Sequence, residues 1–509
     1  MIHRISEIIK KVVGGEIEFN ISIPDQENFG HYATNAAFMV KQDPKVLADK
    51  IKDVGGDLFE KVEVAGKFIN FWISPRALLE ELGEVLKSKR LINLEFISAN
   101  PTGPLTMANG RGGFWGDVLA SVLEFTGHKV TREYYVNDAG NQIKLLGESV
   151  MAALGLMPSK EEHYQGEYVK DLAQKLADRT SAGAEAEKVG RMAADILLTD
   201  IRKSVENVGI KFDVWFSENK NLRESGLIAE VLANLEKAGL VAEHDGAKWL
   251  KTSDIADEKD RVLVKSDGNP TYFLADIGYH YDKFIKRKFD TAITIWGADH
   301  HGYVARLKAG VKALGVEPGR LKIIIAQLVR LVEGGKEVRM SKRKGEFVTL
   351  DELIKEVGKD AARFFFLMHT PESHMDFDLA LAKEKSLKNP VYYVQYAYVR
   401  ANSILKKSKA QPSSFKILKG LKSGSEWRLV RELVKFNDMV LQTAEDYGVS
   451  RLARYALDIA KAFHNFYEKE RVIDEKGNVA EDKLALVVAT RQVLEKLFDL
   501  LGIDKVDKM

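Results

Sequence analysis

Residues 339–345, RMSKRKG, set four cations and a serine in a short glycine-flanked stretch that follows the apolar run KIIIAQLVRLV. Like charges so crowded are stabilised by a polyanion such as a triphosphate, although residue types alone equally describe a solvated basic loop. A second candidate is residues 98–111, SANPTGPLTMANGR, a Pro/Gly/Asn loop between a strand-like run and a helical one. Backbone N–H groups and the dipole of a helix starting there can hold phosphate, while plain turn chemistry would use the same residue types. In this order on one chain the two support each other: one loop positions ATP and the other sets cations on its phosphates. Asp299, His300 and His301 invite a metal reading. Three adjacent residues at a strand end cannot converge on one ion, and no other ligand cluster stands at zinc-like spacing, so no metal site is expected.

Such loops need a scaffold. INLEFI at 92–97, the loop, and then RGGFWGDVLASVLEF with Val118, Leu119, Val122 and Leu123 at helical spacing spell strand, loop and helix. That is the opening of a nucleotide-binding βαβ unit. TAITIWGA, GYVARLKAGVKALG and LKIIIAQLVRL repeat the grammar as strand, helix and strand. Residues 140–260, charged and largely helical in pattern, read as an insertion. Residues 1–88 combine an amphipathic start with the β-like KVEVAGKFINFWI, a small α+β unit. Beyond Asp351 strand signals nearly vanish, and VYYVQYAYVRANSILKK and RLARYALDIAKAFHNFYEKE space apolar residues three to four apart, as in a helical bundle. The expected fold is multidomain α/β: a small α+β N-terminal domain at 1–88, a Rossmann-type parallel-sheet catalytic domain at 89–350, and an all-α domain at 351–509.

Composition narrows the classes further. The 509 residues carry 76 basic and 74 acidic side chains, a formal charge of only +2, so the chain is no bulk polycation. It has no cysteine, which removes disulfides, thiolate metal sites and cysteine nucleophiles. No apolar run reaches the roughly 18 residues of a membrane span, and the charged start holds no secretory core, so a cytoplasmic protein without membrane association is expected.

The two loops resemble the HIGH and KMSK signatures of class I aminoacyl-tRNA synthetases, and the closer resemblance is to arginyl-tRNA synthetase. EFISANPTGPLTMANGRGG, YYVNDAGNQI, WGADHHGYVARLKA, GEFVTLDELIKEVGKDAARFFF, NPVYYVQYAYVR and LALVVATRQVLEKLFDLLGI follow in family order over nearly the whole chain. NFGHYATNAAF with KVEVAGKFINFWI resembles the family's N-terminal extension, which touches the outer corner of tRNA. There are departures. The first signature holds Thr106, Met107, Ala108 and Asn109 where the family has histidine, a variable residue, glycine and histidine. Threonine and asparagine can still donate to phosphate oxygens, in a form similar to that of tryptophanyl-tRNA synthetases. Ala108 adds a methyl group where the family's glycine lets adenine lie on bare backbone. In the second signature Arg339 replaces lysine, while Met340, Ser341 and Lys342 match.

The resemblance implies an arginine–tRNA ligase. Arginine's carboxylate would attack the α-phosphorus of ATP, and tRNA(Arg) would then take the arginyl group. Implied catalytic residues are Thr106, Asn109 and Lys342. ATP would meet Thr106, Met107, Ala108, Asn109, Gly297, Asp299, Arg339, Met340, Ser341 and Lys342. L-arginine would meet Glu95, Ser98, Asn100, Tyr272, Asp276 and His300. Tyr272 and Asp276, four apart, can share a helix face; unaided, such a pair also describes surface decoration, and Glu95 a structural ion pair. Asn137, Asp138, Gly140 and Gln142 match a motif near the site but receive no step. Tyr396 and Arg400 are the expected tRNA contacts in an anticodon-binding bundle. Mg2+ would arrive with ATP, and a monomer is expected. The diverged first signature motivates one alternative, a catalytically silent tRNA-binding paralogue; a HIGH-type nucleotidyltransferase acting on a small acid would leave the C-terminal bundle unused.

Overall fold

The computed structural model describes residues 1–15, 17–24, 29–74, 76–77, 89–254, 258–337, 348–408, 421 and 423–509. Arg339, Met340, Ser341 and Lys342 lie outside the described residues. The chain divides into two compact units, one spanning 87–389 and one assembled from 1–86 with 390–509.

The first unit is built on β1 (Leu91–Glu95), β2 (Lys129–Val136), β3 (Val214–Ser217), β4 (Thr291–Gly297) and β5 (Leu321–Ala326). They form one sheet in the order β5-β4-β1-β2-β3, with every neighbouring pair parallel. Helix α1 (Met107–Phe125) carries the chain from β1 back to β2, α2 (Asn141–Ala153) and α3 (Ala186–Asn207) lie between β2 and β3, and α4 (Tyr272–Tyr281) precedes β4. The fold is therefore the doubly wound parallel sheet that the alternating pattern implied. The direction of strand addition reverses between β1 and β4, and the crevice beyond the carboxyl ends of those two strands is where such sheets bind ligands.

Three features differ from the sequence reading. LKIIIAQLVRL is not one strand: β5 stops at Ala326, and Val329–Glu333 belongs to another sheet, antiparallel to Lys336–Glu337 and parallel to Met375–Asp378. The break has a cause. Arg111, fully buried on α1, donates to the Gln327 carbonyl at 2.9 Å and to the Thr370 and Ser373 carbonyls at 2.6 and 2.8 Å. The Gln327 N–H is meanwhile drawn to the Pro371 carbonyl at 2.8 Å instead of a strand partner. Second, the 140–260 region is not simply helical, because it supplies β3 to the main sheet and most of a small antiparallel sheet of Val241–His244, Ala247–Leu250 and Arg261–Val264. Third, the unit runs on to residue 389 rather than ending near 350. The helices Leu350–Val357 and Lys359–Leu367 cover α1: Leu350 and Phe366 are fully buried, and Arg363 pairs with Asp117 at 2.7 Å.

In the second unit, Ile21–Ser22, Tyr32–Thr34, Phe68–Ile73 and Phe59–Ala65 form an antiparallel sheet with the helices Ile2–Val13 and Pro44–Gly55. The stretch 351–509 reads as all helical in sequence, but it includes the strand Met375–Asp378 in the first unit; from 390 on the described elements are the helices Pro390–Ser408, Gly424–Val434, Phe436–Asp446, Ser450–Lys469 and Glu481–Leu501. Tyr32 donates its hydroxyl to Asp438 at 2.7 Å, so residues far apart in sequence share one core.

Candidate active site

At the head of α1, Thr106 and Asn109 form a capping box. The Thr106 Oγ1 accepts from the Asn109 N–H at 3.3 Å, while Asn109 Oδ1 accepts from the Thr106 N–H and hydroxyl, both at 2.8 Å. Satisfying otherwise orphaned first-turn groups in this way fixes both side chains. The Asn109 amide oxygen is thereby turned inward, and its NH2 group makes no bond among the described residues. Ala108 is exposed on the first turn, whereas the Met107 side chain is buried, and its N–H donates to the Val348 carbonyl at 2.9 Å. Thr106 also bridges Thr349, so the chain just past RMSKRKG returns beside the first signature.

At the end of β4, a Cβ on Gly297 would lie 2.6 Å from Asp299 Oδ1, the end of an exposed side chain that can turn aside. Asp299 and His300 are both exposed, 3.5 Å apart, and the His300 ring lies 5.4 Å from Trp296. Among the described residues no group of three His, Cys, Asp or Glu could hold a metal.

Beyond β1 the backbone is strained. Ile97 and Ser98 have φ of 66° and 40°, and the Ser98 N–H closes a three-residue turn onto the Phe96 carbonyl at 2.9 Å. A β-branched residue in this region is held only where the surroundings over-determine it. The turn aims the Ser98 hydroxyl at Glu95 Oε1, 3.2 Å away, while Ser98 Oγ itself accepts the Tyr135 N–H at 3.0 Å. Glu95 is buried, and its Oε2 accepts from Lys283 at 2.6 Å and from Thr294 at 3.4 Å. It is thus an ion-paired carboxylate rather than an open acceptor.

Asp276 is the open one. It is half-buried on α4, accepts the Tyr303 hydroxyl, and has no cationic partner among the described residues. Burial raises its pKa to about 7, with Glu218 and Glu95 pushing the same way against the Tyr303 hydrogen bond and Lys283. Glu218, also buried, is by contrast clasped by Arg223 at 2.9 and 2.7 Å and accepts the Tyr135 hydroxyl at 3.0 Å. Tyr272, one turn before Asp276, is exposed with its hydroxyl over Gly140. The motif with no assigned step is a brace: Gln142 accepts the Asn100 amide at 2.5 Å, and Asp138 accepts the Ser217 hydroxyl and the Asn219 N–H at 2.5 and 2.9 Å. Sequence reading missed Lys283, Tyr303 and Glu218. Only Lys283 left a trace, the four-residue spacing of Tyr279, Lys283 and Arg287.

In the second unit Tyr396 and Arg400 sit together, half-buried. The Arg400 guanidinium donates to the Tyr396 hydroxyl and lies 5.1 and 4.9 Å from the rings of Tyr396 and Tyr467. Tyr396 stacks on His464 with centroids 5.5 Å apart. Tyr467 and His464 come from the Ser450–Lys469 helix and could not be linked to Tyr396 by spacing.

A 3-2-1-4-5 parallel sheet, a capped signature helix at its switch point and an appended helical bundle define a class I aminoacyl-tRNA synthetase. Comparison with known proteins agrees in every segment. Residues 76–369 match the family model for the class I (R) tRNA synthetase catalytic domain, 1–73 that for the arginyl tRNA synthetase N-terminal domain, and 394–509 that for the DALR anticodon binding domain. The arginine–tRNA ligase of Carboxydothermus hydrogenoformans is 43% identical, over 97% of this chain and 95% of its own. That of Thermotoga maritima is 40% identical over 99% and 98%. The Thermus thermophilus arginyl-tRNA synthetase structure superposes with a TM-score of 0.81 at 22% identity, covering 100% of this chain and 99% of that one, which bears on the fold. The chain belongs to the arginyl-tRNA synthetase family.

Proposed function

We propose that this chain is an arginine–tRNA ligase whose amino-acid pocket is centred on Asp276. One observation carries the residue assignment. The buried carboxylates Glu95, Glu133 and Glu218 each have their own cation, Lys283, Arg287 and Arg223, while Asp276 has none among the described residues. A site short of one positive charge is matched by a guanidinium, which also supplies the planar donors a carboxylate takes bidentately. Tyr272 would cover the arginine side chain, and Glu95, Ser98, Asn100 and His300 would line the rest of its site.

Arginine's carboxylate attacks the α-phosphorus of ATP, pyrophosphate leaves, and the terminal ribose hydroxyl of tRNA(Arg) then takes the arginyl group with release of AMP. Neither step needs a protein nucleophile, so the chain's contribution is orientation and charge. The free Asn109 NH2 group is held where a donor to ATP phosphate is wanted, with Thr106 fixing it. Ala108 faces outward from α1, and Met107 contributes through its backbone. Gly297 and Asp299 would flank the nucleotide, and Arg339, Met340, Ser341 and Lys342 would complete its phosphate contacts. Mg2+ enters as part of the ATP substrate. Tyr396 and Arg400, with Tyr467, would meet the tRNA, and the enzyme would act as a monomer. A silent paralogue is not favoured, because relatives about 40% identical over nearly the full chain are arginine–tRNA ligases and the class I catalytic domain is matched throughout. The test is aminoacylation with each of the twenty amino acids, ATP and tRNA: arginine alone should be charged with AMP formation, and folded protein that charges no tRNA preparation would refute the reading.

A further inference from the structure

Arg111 on α1 and Arg363 on the helix covering it are both fully buried, and they are satisfied differently. Arg363 has a carboxylate, Asp117 at 2.7 Å. Arg111, two residues past Asn109, is bound by backbone carbonyls, and among the described residues no carboxylate forms an ion pair with it. A buried cation without a counter-ion is costly, and the dipoles that offset it must be held in a fixed array. Two chain segments supply that array. Nη1 donates to the Gln327 and Leu328 carbonyls at 2.9 and 3.5 Å, and Nη2 to the Thr370 and Ser373 carbonyls at 2.6 and 2.8 Å. The planar fork therefore sets the orientation of the two segments as well as their separation. One turn further along α1, and on the same face, Trp115 donates its indole N–H to the His369 carbonyl at 3.3 Å.

Both segments lie at the carboxyl edge of the sheet. Gln327 follows Ala326, the last residue of β5 and the register partner of Gly297 at the end of β4. Leu328 and Ser373 lead into the parallel strands Val329–Glu333 and Met375–Asp378, where Val329 and Met375 are partners. Val329–Glu333 turns back through Lys336–Glu337, just ahead of the Arg339–Lys342 signature in sequence. Past that signature, the Met107 N–H bonds the Val348 carbonyl and the Leu350 N–H bonds the Leu105 carbonyl, both at 2.9 Å. The start of α1 thus holds the chain before and after the second signature, through its own backbone on one side and through Arg111 on the other. Resting on the reading of this crevice as the ATP site, we propose that Arg111 is a positioning residue for ATP. It keeps the carboxyl end of β5 and the start of the small sheet at a fixed place relative to Thr106 and Asn109, so that both signatures meet one nucleotide. Its hydrogen bonds reach none of Glu95, Tyr272 or Asp276, so the amino-acid pocket does not depend on it.

The test is steady-state aminoacylation by the full-length Arg111→Met and Arg111→Lys variants at saturating tRNA. Arg111→Met should raise KM for ATP about tenfold, with KM for arginine changed by less than about twofold. Arg111→Lys keeps a charge and three donors, and should bring KM for ATP back to within about threefold of the unaltered protein. A part in stability alone would only reduce the folded fraction, lowering kcat with both KM values unchanged. Should Arg111→Met fail to fold, Arg111→Gln, whose amide can still donate to two of the carbonyls, carries the same comparison. An unchanged KM for ATP, equal rises in both KM values, a loss confined to kcat, or no recovery in the lysine variant would overturn the proposal. Failure of the unaltered chain to charge arginine would instead sink the underlying reading, so the two are told apart.

Discussion

At the scale of single residues, the site turns on which carboxylate is left without a counter-ion. Asp276 titrates near 7, chiefly because burial disfavours its charge and because Glu218 and Glu95 lie close. A carboxyl raised above its unfolded value stabilises the free protein below about pH 4, and that contribution is lost as pH rises to about 7. Guanidinium prefers the ionised form, so arginine affinity should rise with pH up to about 7 and level off above, with a proton released on binding at lower pH. Calorimetric titration of arginine at pH 6 in buffers of differing ionisation enthalpy should detect that proton. Asp276→Asn should abolish both the proton release and most of the affinity, and a pH-independent affinity in the unmodified protein would contradict the assignment. The resemblance nominates Asp276 for the proposed pocket, and its four-residue spacing from Tyr272 sets both near one face of α4. Its isolation was not legible, because it depends on where Lys283, Arg287 and Arg223 spend their charges.

At the scale of elements, close backbone approach places the helices behind the site. Gly147 on α2 and Gly190 on α3 let the two helices touch: a Cβ on Gly147 would lie 1.8 Å from the Ala186 carbonyl oxygen, and one on Gly190 1.8 Å from that of Ile143. Neither neighbour is a flexible side-chain end, so the helices themselves must separate. Gly190→Ala should therefore lower unfolding stability by roughly 1–3 kcal/mol. Denaturant unfolding measures this, and an unchanged midpoint would show that the helices can part freely. The helices were readable from apolar spacing, since α3 buries Val189, Ala193, Leu197 and Ile201 on one face. The end of β5 was not: IIIAQLVRL continues the strand pattern without a break, and only the Arg111 guanidinium, held by carbonyls from two separate loops, ends it at Ala326.

At the scale of the whole molecule, the unit formed by 1–86 and 390–509 depends on a few buried polar contacts. Asp438 accepts the Tyr32 hydroxyl at 2.7 Å and the Ile2 N–H at 3.1 Å, with Asp438 and Tyr32 both buried. Asp438→Ala removes the acceptor that these donors share and should cost about 3 kcal/mol, freeing the 1–86 segment for proteolysis under conditions where the unaltered protein resists. Equal protease resistance in the variant would show that apolar packing alone holds the segment. Near-neutral total charge conceals this arrangement, because +2 is the remainder of many local pairings. The sequence by itself determined the fold class, the three-part organisation and the family, since alternating apolar runs and long motifs are local patterns that survive without coordinates. Tertiary structure alone decided that Glu95 is paired and Asp276 is not, and that residues 1–86 share a core with 390–509. Charge pairing and burial depend on distances between residues remote along the chain, and those distances exist only once the chain has folded.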